Sequence, residues 1–234
     1  MESRETKLVL LPGIYGTGEL FADFIEALPR EFAARAVHYP NDVCLSYAEL
    51  LGIVQNEVPA SEPYVIVAES FSTPLAIQFA GMNPLNLKGL VLSAGFATSP
   101  VRGALQWLSP IMAPLLAHLP VCGIGAKILV PESKDPESAL ARMRVAIASV
   151  EPKVMMDRVQ SVVGCNALEE LGKIKVPVLY LQATRDFLVN PVCLEEMRQV
   201  KPEIEVVVMD GPHVILQLMP RQAVEIVADF VRRL

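Results

Sequence analysis

Ser70 lies in Tyr64-Val65-Ile66-Val67-Ala68-Glu69-Ser70-Phe71-Ser72-Thr73-Pro74, where an apolar run meets a turn and a helical stretch follows. A serine on a sharp strand-to-helix turn presents its hydroxyl clear of both elements. Small residues must flank it because the turn is tight and strained, which gives the pattern G-x-S-x-G. Ala68 and Ser72 stand where the pattern has glycine, so the match is approximate. The alternative reading of Ser70 is a helix cap. As a nucleophile it needs a base, and the base needs an orienting acid.

Three histidines can supply the base. His213 follows Met209-Asp210-Gly211-Pro212, directly after an apolar run, and a loop beyond the carboxyl end of a parallel strand is where such sheets place functional groups. His38 sits at the edge of a strand and reads as packing. His118 sits in an apolar stretch and reads as structural. The acid is Asp186, in Ala183-Thr184-Arg185-Asp186-Phe187-Leu188-Val189, or Asp210, three residues before His213. Asp186 is preferred because an acid on a separate neighbouring loop can approach the imidazole from behind.

The elements that must position these residues follow from hydrophobic period. Leu8–Leu11, Ala34–Tyr39, Tyr64–Ala68, Leu90–Ser93, Val178–Ala183 and Glu205–Met209 are short apolar runs that read as strands. Between them lie helix-period stripes: Phe21, Phe24, Ile25 and Leu28; then Tyr47, Leu50, Val54 and Val58 behind the capping box Ser46-Tyr47-Ala48-Glu49; then Phe71 to about Met82. Pro220 opens a closing helix with Ala223, Val224, Val227 and Val231 on one side. Strands alternating with helices imply an α/β fold with a mostly parallel sheet of about six strands, covered by helices on both faces. The alternation breaks between Phe96 and Lys173. A helix opening at Asp135-Pro136, with Leu140, Met143, Ile147 and Val150 inward, and no strand, make this a helical insertion.

The order Ser70, Asp186, His213, each after its own strand, is that of α/β hydrolases. The chain resembles the small bacterial-type serine esterases and lipase-like members of that superfamily. Leu11-Pro12-Gly13-Ile14-Tyr15-Gly16-Thr17-Gly18 resembles the family's loop after its first core strand, usually His-Gly, with Pro12 in place of the histidine. Ala183 to Val189 resembles the family's G-x-x-D-x-x-V, with Ala183 for glycine. The likeness covers both ends of the chain. It implies a core of residues 1–95 and 174–234 and a helical cap over 96–173, with no cofactor. The expected chemistry is cleavage of a carboxylic ester with a small to medium apolar acyl chain. Ser70 attacks, His213 takes the proton and Asp186 holds the imidazole. The backbone amides of Ile14 and Phe71 receive the oxyanion. Tyr15, Trp107, Leu108, Ile111, Met112, Leu115 and Leu116 are the candidate substrate wall. Thioesterase, acyltransferase and cofactor-free haloperoxidase or perhydrolase chemistry share the same residues. A ligand-binding protein without turnover is the reading from a different class.

Composition bounds the rest. Of 234 residues, 52% are hydrophobic and 20% charged, which rules out disorder as the main state. The net charge of −6, without a basic block, argues against nucleic-acid binding. Gly103 to Ala126 carries no charged side chain, but Pro110, Pro114 and Pro120 break it, so a stable membrane span is not expected and at most a weak membrane association is. The mixed-charge start and the short Leu8–Leu11 run lack a signal-peptide core, which gives a cytoplasmic expectation. Cys44, Cys122, Cys165 and Cys193 have no metal-ligand spacing and read as buried free thiols, so no metal is expected.

Overall fold

The computed structural model describes residues 6–101 and 136–234. Trp107, Leu108, Ile111, Met112, Leu115, Leu116, His118 and Cys122 lie outside the described residues.

Six parallel strands form one sheet: β1 (Lys7–Leu11), β2 (Ala33–Ala36), β3 (Tyr64–Glu69), β4 (Leu87–Ser93), β5 (Val178–Arg185) and β6 (Glu205–Pro212), in the order β2-β1-β3-β4-β5-β6. Successive side chains of a strand point to opposite faces, and the continuous apolar runs supply both. Val9, Leu11, Ile66, Ala68, Leu90, Leu92, Val178 and Tyr180 enter one core. Leu8, Leu10, Val65, Val67, Val91, Leu179 and Leu181 enter the other. Each fully buried Val, Leu or Ile side chain contributes about 1.5–3 kcal/mol.

The first core is closed by α2 (Tyr47–Glu57), α3 (Thr73–Gly81), α6 (Leu168–Lys173) and α7 (Val192–Val200). The second is closed by α1 (Ala22–Ala27), α8 (Ile215–Leu218) and α9 (Pro220–Arg232). The capping box before α2 is formed: Ser46 Oγ accepts the Glu49 N–H, and Glu49 accepts the Ser46 N–H at 2.8 Å. Between β4 and β5 the described residues hold α4 (Pro136–Ala148), α5 (Pro152–Gly164) and α6, and no named strand.

Four local expectations change. The first helix buries Phe21 and Phe24 but leaves Ile25 at the surface, because a 3-10 turn over Gly18–Phe21 precedes α1 and rotates the stripe. β2 ends at Ala36, and His38 beyond it is exposed rather than packed. The helix expected from Phe71 begins at Thr73, after a 3-10 turn over Ser70–Ser72. Cys193 is buried, but Cys44 is exposed and Cys165 only partly covered. Among the described residues no helix is long and apolar enough to cross a membrane.

Strand order reverses direction at β1: β2 lies to one side of it and β3 to the other. Parallel sheets open a crevice at the carboxyl ends of the strands at such a switch point. The register Leu11↔Ala68 sets the loop after β1 beside Ser70, and Glu69↔Ser93 sets the loop after β4 on its other side.

Candidate active site

Ser70 leaves β3 with φ +47°, a left-handed conformation that a residue with a Cβ adopts at a cost of about 1–3 kcal/mol. Neighbours hold it there. Thr73 Oγ1 accepts the Phe96 N–H at 3.0 Å and lies 2.7 Å from the Ser70 carbonyl, which it reaches as a donor. A side chain at Gly95 would collide with Thr73, so the loop after β4 approaches the turn only as glycine. Phe71 is buried, with its ring against Tyr47 and its carbonyl accepting the Tyr47 hydroxyl at 2.9 Å.

Ser72 replaces the second glycine of the pattern and uses its hydroxyl. Its Oγ donates to the Pro12 carbonyl and accepts from Tyr39 at 2.8 Å, all within the core. The next residues, Gly13 to Gly16, form a turn closed by the Gly16 N–H on the Gly13 carbonyl at 3.0 Å. Gly13 C=O and Ile14 N–H belong to one trans peptide and point in opposite directions. The Ile14 N–H is thereby turned out of the loop, and no acceptor among the described residues takes it. Phe71 lies in the first turn of a helix, where N–H groups have no intrahelical acceptor.

Arg158, on α5, anchors the same loop from the other side. Its side chain is almost wholly buried, and Nη1 donates to the Ile14 carbonyl at 2.7 Å. Nη2 donates to the Pro40 carbonyl at 2.8 Å and reaches Asn41 Oδ1 at 3.3 Å. Gly16 has φ +73° directly under the guanidinium, with no room for a Cβ.

His213 follows β6. Its Nε2 lies 2.7 Å from Ser70 Oγ, and its Nδ1 lies 2.8 Å from Asp186 Oδ2. Both partners of the second bond are largely covered. With Nδ1–H donated to the carboxylate, Nε2 is left as the acceptor facing the hydroxyl. Asp186 is itself fixed, since Oδ1 accepts the N–H groups of Leu188 at 2.8 Å and Val189 at 2.9 Å. Asp210 faces elsewhere: Oδ1 accepts from Thr184 at 2.7 Å and from Arg185 at 2.9 Å on the exposed side of the sheet edge.

Tyr15, expected on the substrate wall, lies beneath the site. Its ring is buried and its hydroxyl donates to Glu69 and accepts from Gln217 at 3.0 Å. Arg158, Glu69 and Gln217 were invisible to sequence reasoning as site neighbours. The one available signal was Glu69, a carboxylate closing an otherwise apolar strand. Among the described residues no group of His, Cys, Asp or Glu side chains has metal-binding geometry.

The model of the family described as "Serine aminopeptidase, S33" matches residues 33–210, a span that holds Ser70 and Asp186 and ends just before His213. No curated protein matches by sequence. Among solved structures, the enol-lactonase of Burkholderia xenovorans LB400 superposes with a TM-score of 0.77 at 17% identity, over 97% of this chain and 91% of that one. A thermophilic esterase of Thermogutta terrifontis gives 0.77 at 17% identity, over 97% and 90%. A carboxylesterase structure from the thaumarchaeon Nitrososphaera gargenis gives 0.77 at 14%, over 99% and 91%. These likenesses extend over nearly the whole chain and establish the fold. With the family match over most of its length, the chain belongs to the S33 serine aminopeptidase family of α/β hydrolases.

Proposed function

We propose that the protein is a serine hydrolase that cleaves carboxylic esters through an acyl-enzyme. The observation that carries this reading is the unbroken hydrogen-bonded chain Ser70 Oγ–His213 Nε2, His213 Nδ1–Asp186 Oδ2. Ser70 attacks the acyl carbon while His213 accepts its proton. Asp186 keeps the imidazole tautomer and stabilises the imidazolium. The carbonyl oxygen gains negative charge between the N–H groups of Ile14 and Phe71, each worth roughly 2.7–4 kcal/mol in such a role. His213 returns the proton to the leaving alcohol. Water then deacylates Ser70 by the same route.

Residues 96–173 are read as an insertion between β4 and β5, and Arg158 on α5 ties it to the Ile14 loop. The esterase, carboxylesterase and enol-lactonase activities named for these three structural neighbours all attack an acyl–oxygen bond and support the ester reading, and the aminopeptidase name of the matched family makes an amide substrate the second reading.

The test is labelling with a fluorophosphonate probe, together with turnover of p-nitrophenyl esters of graded chain length, thioesters and amino-acid p-nitroanilides. Wild type labels at Ser70 and hydrolyses esters, and Ser70→Ala does neither while keeping its fold. An active Ser70→Ala protein removes this mechanism. Preference for the anilides moves the substrate class to peptides.

A further inference from the structure

Glu69, the residue immediately before Ser70, is a carboxyl group buried at 1% exposure. Its Oε2 accepts from the Tyr15 hydroxyl and from Gln217 Nε2 at 3.0 Å. Gln217 Nε2 also lies 3.0 Å from the Tyr15 hydroxyl, which closes a three-membered cluster. The three side chains come from three places that matter to the site. Glu69 ends the strand that carries Ser70, Tyr15 belongs to the turn that presents Ile14, and Gln217 lies on α8, which follows His213.

Two atoms in this cluster stand out. Glu69 Oε1 and Gln217 Oε1 are both buried, both acceptors, and neither has a partner among the described residues. A buried polar atom left unpaired has lost its water without gaining a partner, which is unfavourable. No Lys or Arg among the described residues pairs with Glu69, and the cationic group that faces it, His213, carries charge only when protonated. A carboxylic acid and a primary amide have a standard way to remove two such deficits with one proton. The amide N–H donates to one acid oxygen, and the acid O–H donates to the amide oxygen. The first of these two bonds is present between Gln217 and Glu69.

We propose that Glu69 is a positioning residue held as a neutral acid, whose proton is donated to Gln217 and whose cluster locks the Ser70 turn, the Ile14 turn and the helix behind His213 together. The inference deepens the ester-hydrolase reading and rests on it. Electrostatics around the site agree. The groups that face Glu69 are Tyr15 from the β1 loop, His213 from the β6 loop and Gln217 from α8. Burial raises the Glu69 pKa, opposed by the Tyr15 hydrogen bond, attraction to His213, the Gln217 hydrogen bond and the backbone N–H of Gly13, which do not outweigh it. A neutral Glu69 also leaves the developing oxyanion unopposed, whereas a carboxylate one residue from Ser70 would repel it.

The experiment compares wild type, Glu69→Gln, Glu69→Leu and Tyr15→Phe. Infrared spectroscopy of the wild type, with hydrogen–deuterium exchange, should show the carbonyl stretch of a protonated carboxylic acid that is absent from Glu69→Gln. Glu69→Leu and Tyr15→Phe loosen the cluster and lower kcat by about tenfold to a hundredfold with KM little changed. Glu69→Gln, whose amide supplies the donor that the acid proton supplied, restores most of that kcat and leaves the acidic limb of the pH profile where wild type has it. The proposal falls if wild type lacks the acid band. It falls equally if Glu69→Gln is as impaired as Glu69→Leu, if its acidic limb moves down, or if Tyr15→Phe keeps full kcat. Should Glu69→Leu fail to fold, Tyr15→Phe carries the kinetic arm. A wild type that neither labels with fluorophosphonate nor turns over any ester breaks the ester-hydrolase reading instead, and the infrared band still decides the state of Glu69.

Discussion

The two sides of the proposed active site, that of the orienting acid and that of the loop proposed to receive the oxyanion, are held in different ways. On the acid side, Asp186 is fixed by the backbone of its own loop, through Leu188 and Val189, two and three residues away. On the oxyanion side, the Pro12–Gly16 loop is fixed by side chains distant in sequence: Ser72 on the Pro12 carbonyl, Arg158 on the Ile14 carbonyl, and Glu69 with Gln217 on the Tyr15 hydroxyl. The acid is placed by a few residues of local code. The oxyanion loop is placed only once the sheet, the insertion helices and α8 are assembled. Preorganised donors must not move as charge develops, and an aperture tied to three parts of the fold meets that requirement more firmly than one tied to itself.

The largest expected effect breaks the acid side. Asp186→Asn keeps the shape but favours the wrong imidazole tautomer, and kcat should fall by about 10⁴. Asp210→Asn removes only exposed contacts to Thr184 and Arg185, and kcat should stay within about threefold, as for surface changes of roughly half a kcal/mol. Steady-state ester hydrolysis by the two purified variants decides it. Equal losses would mean that the geometry has assigned the acid wrongly.

The same contrast explains what could be read from the sequence. Ser70, Asp186 and His213 were legible because each closes a strand-to-loop boundary marked by an apolar run, and because their order is itself a pattern. The sheet was legible because its strands are apolar on both faces. Arg158 was not legible. It sits on an ordinary amphipathic helix, and only the docking of that helix over Gly16 turns its guanidinium inward. That Tyr15 turns its hydroxyl to Glu69 was not legible for a related reason. A tyrosine in a glycine-rich loop has no period to say which way it points, and the partner that fixes it, Gln217, lies 202 residues away.

A smaller effect tests the oxyanion side. Arg158→Met deprives the Ile14 and Pro40 carbonyls of their donors; Pro40 is exposed and water can replace its donor, so the half-buried Ile14 carbonyl sets the loss of stability, about 1–3 kcal/mol. If the guanidinium fixes Ile14, kcat should also fall by about tenfold to a hundredfold, short of the loss of a whole oxyanion donor. Arg158→Lys keeps the charge but cannot serve two carbonyls with a planar fork, so it should behave more like methionine than like wild type. Urea unfolding read beside ester turnover separates the two effects. A fall in stability without any fall in kcat would make Arg158 a tie between insertion and core that has no hold on the aperture.

Ser72 gives the smallest and most discriminating effect. The family pattern asks only for a small residue here, and glycine would satisfy it. This chain instead places a hydroxyl between Tyr39 and the Pro12 carbonyl, at the root of the loop that Arg158 holds further along. Ser72→Ala and Ser72→Gly both fit the turn, and both orphan a buried carbonyl and a buried tyrosine hydroxyl. Each should lower the urea-unfolding free energy by about 2–6 kcal/mol, at about 1–3 kcal/mol for each orphaned group, so that the small effect is the one on turnover. Glycine should lose the more of the two, because its unfolded chain is freer by roughly 0.5–1 kcal/mol. Since Arg158 and Glu69 still hold the loop beyond Pro12, kcat should change by less than about fivefold, under 1 kcal/mol on the barrier. A kcat loss as large as that of Arg158→Met would show that the three anchors act as one unit, with no redundancy among them.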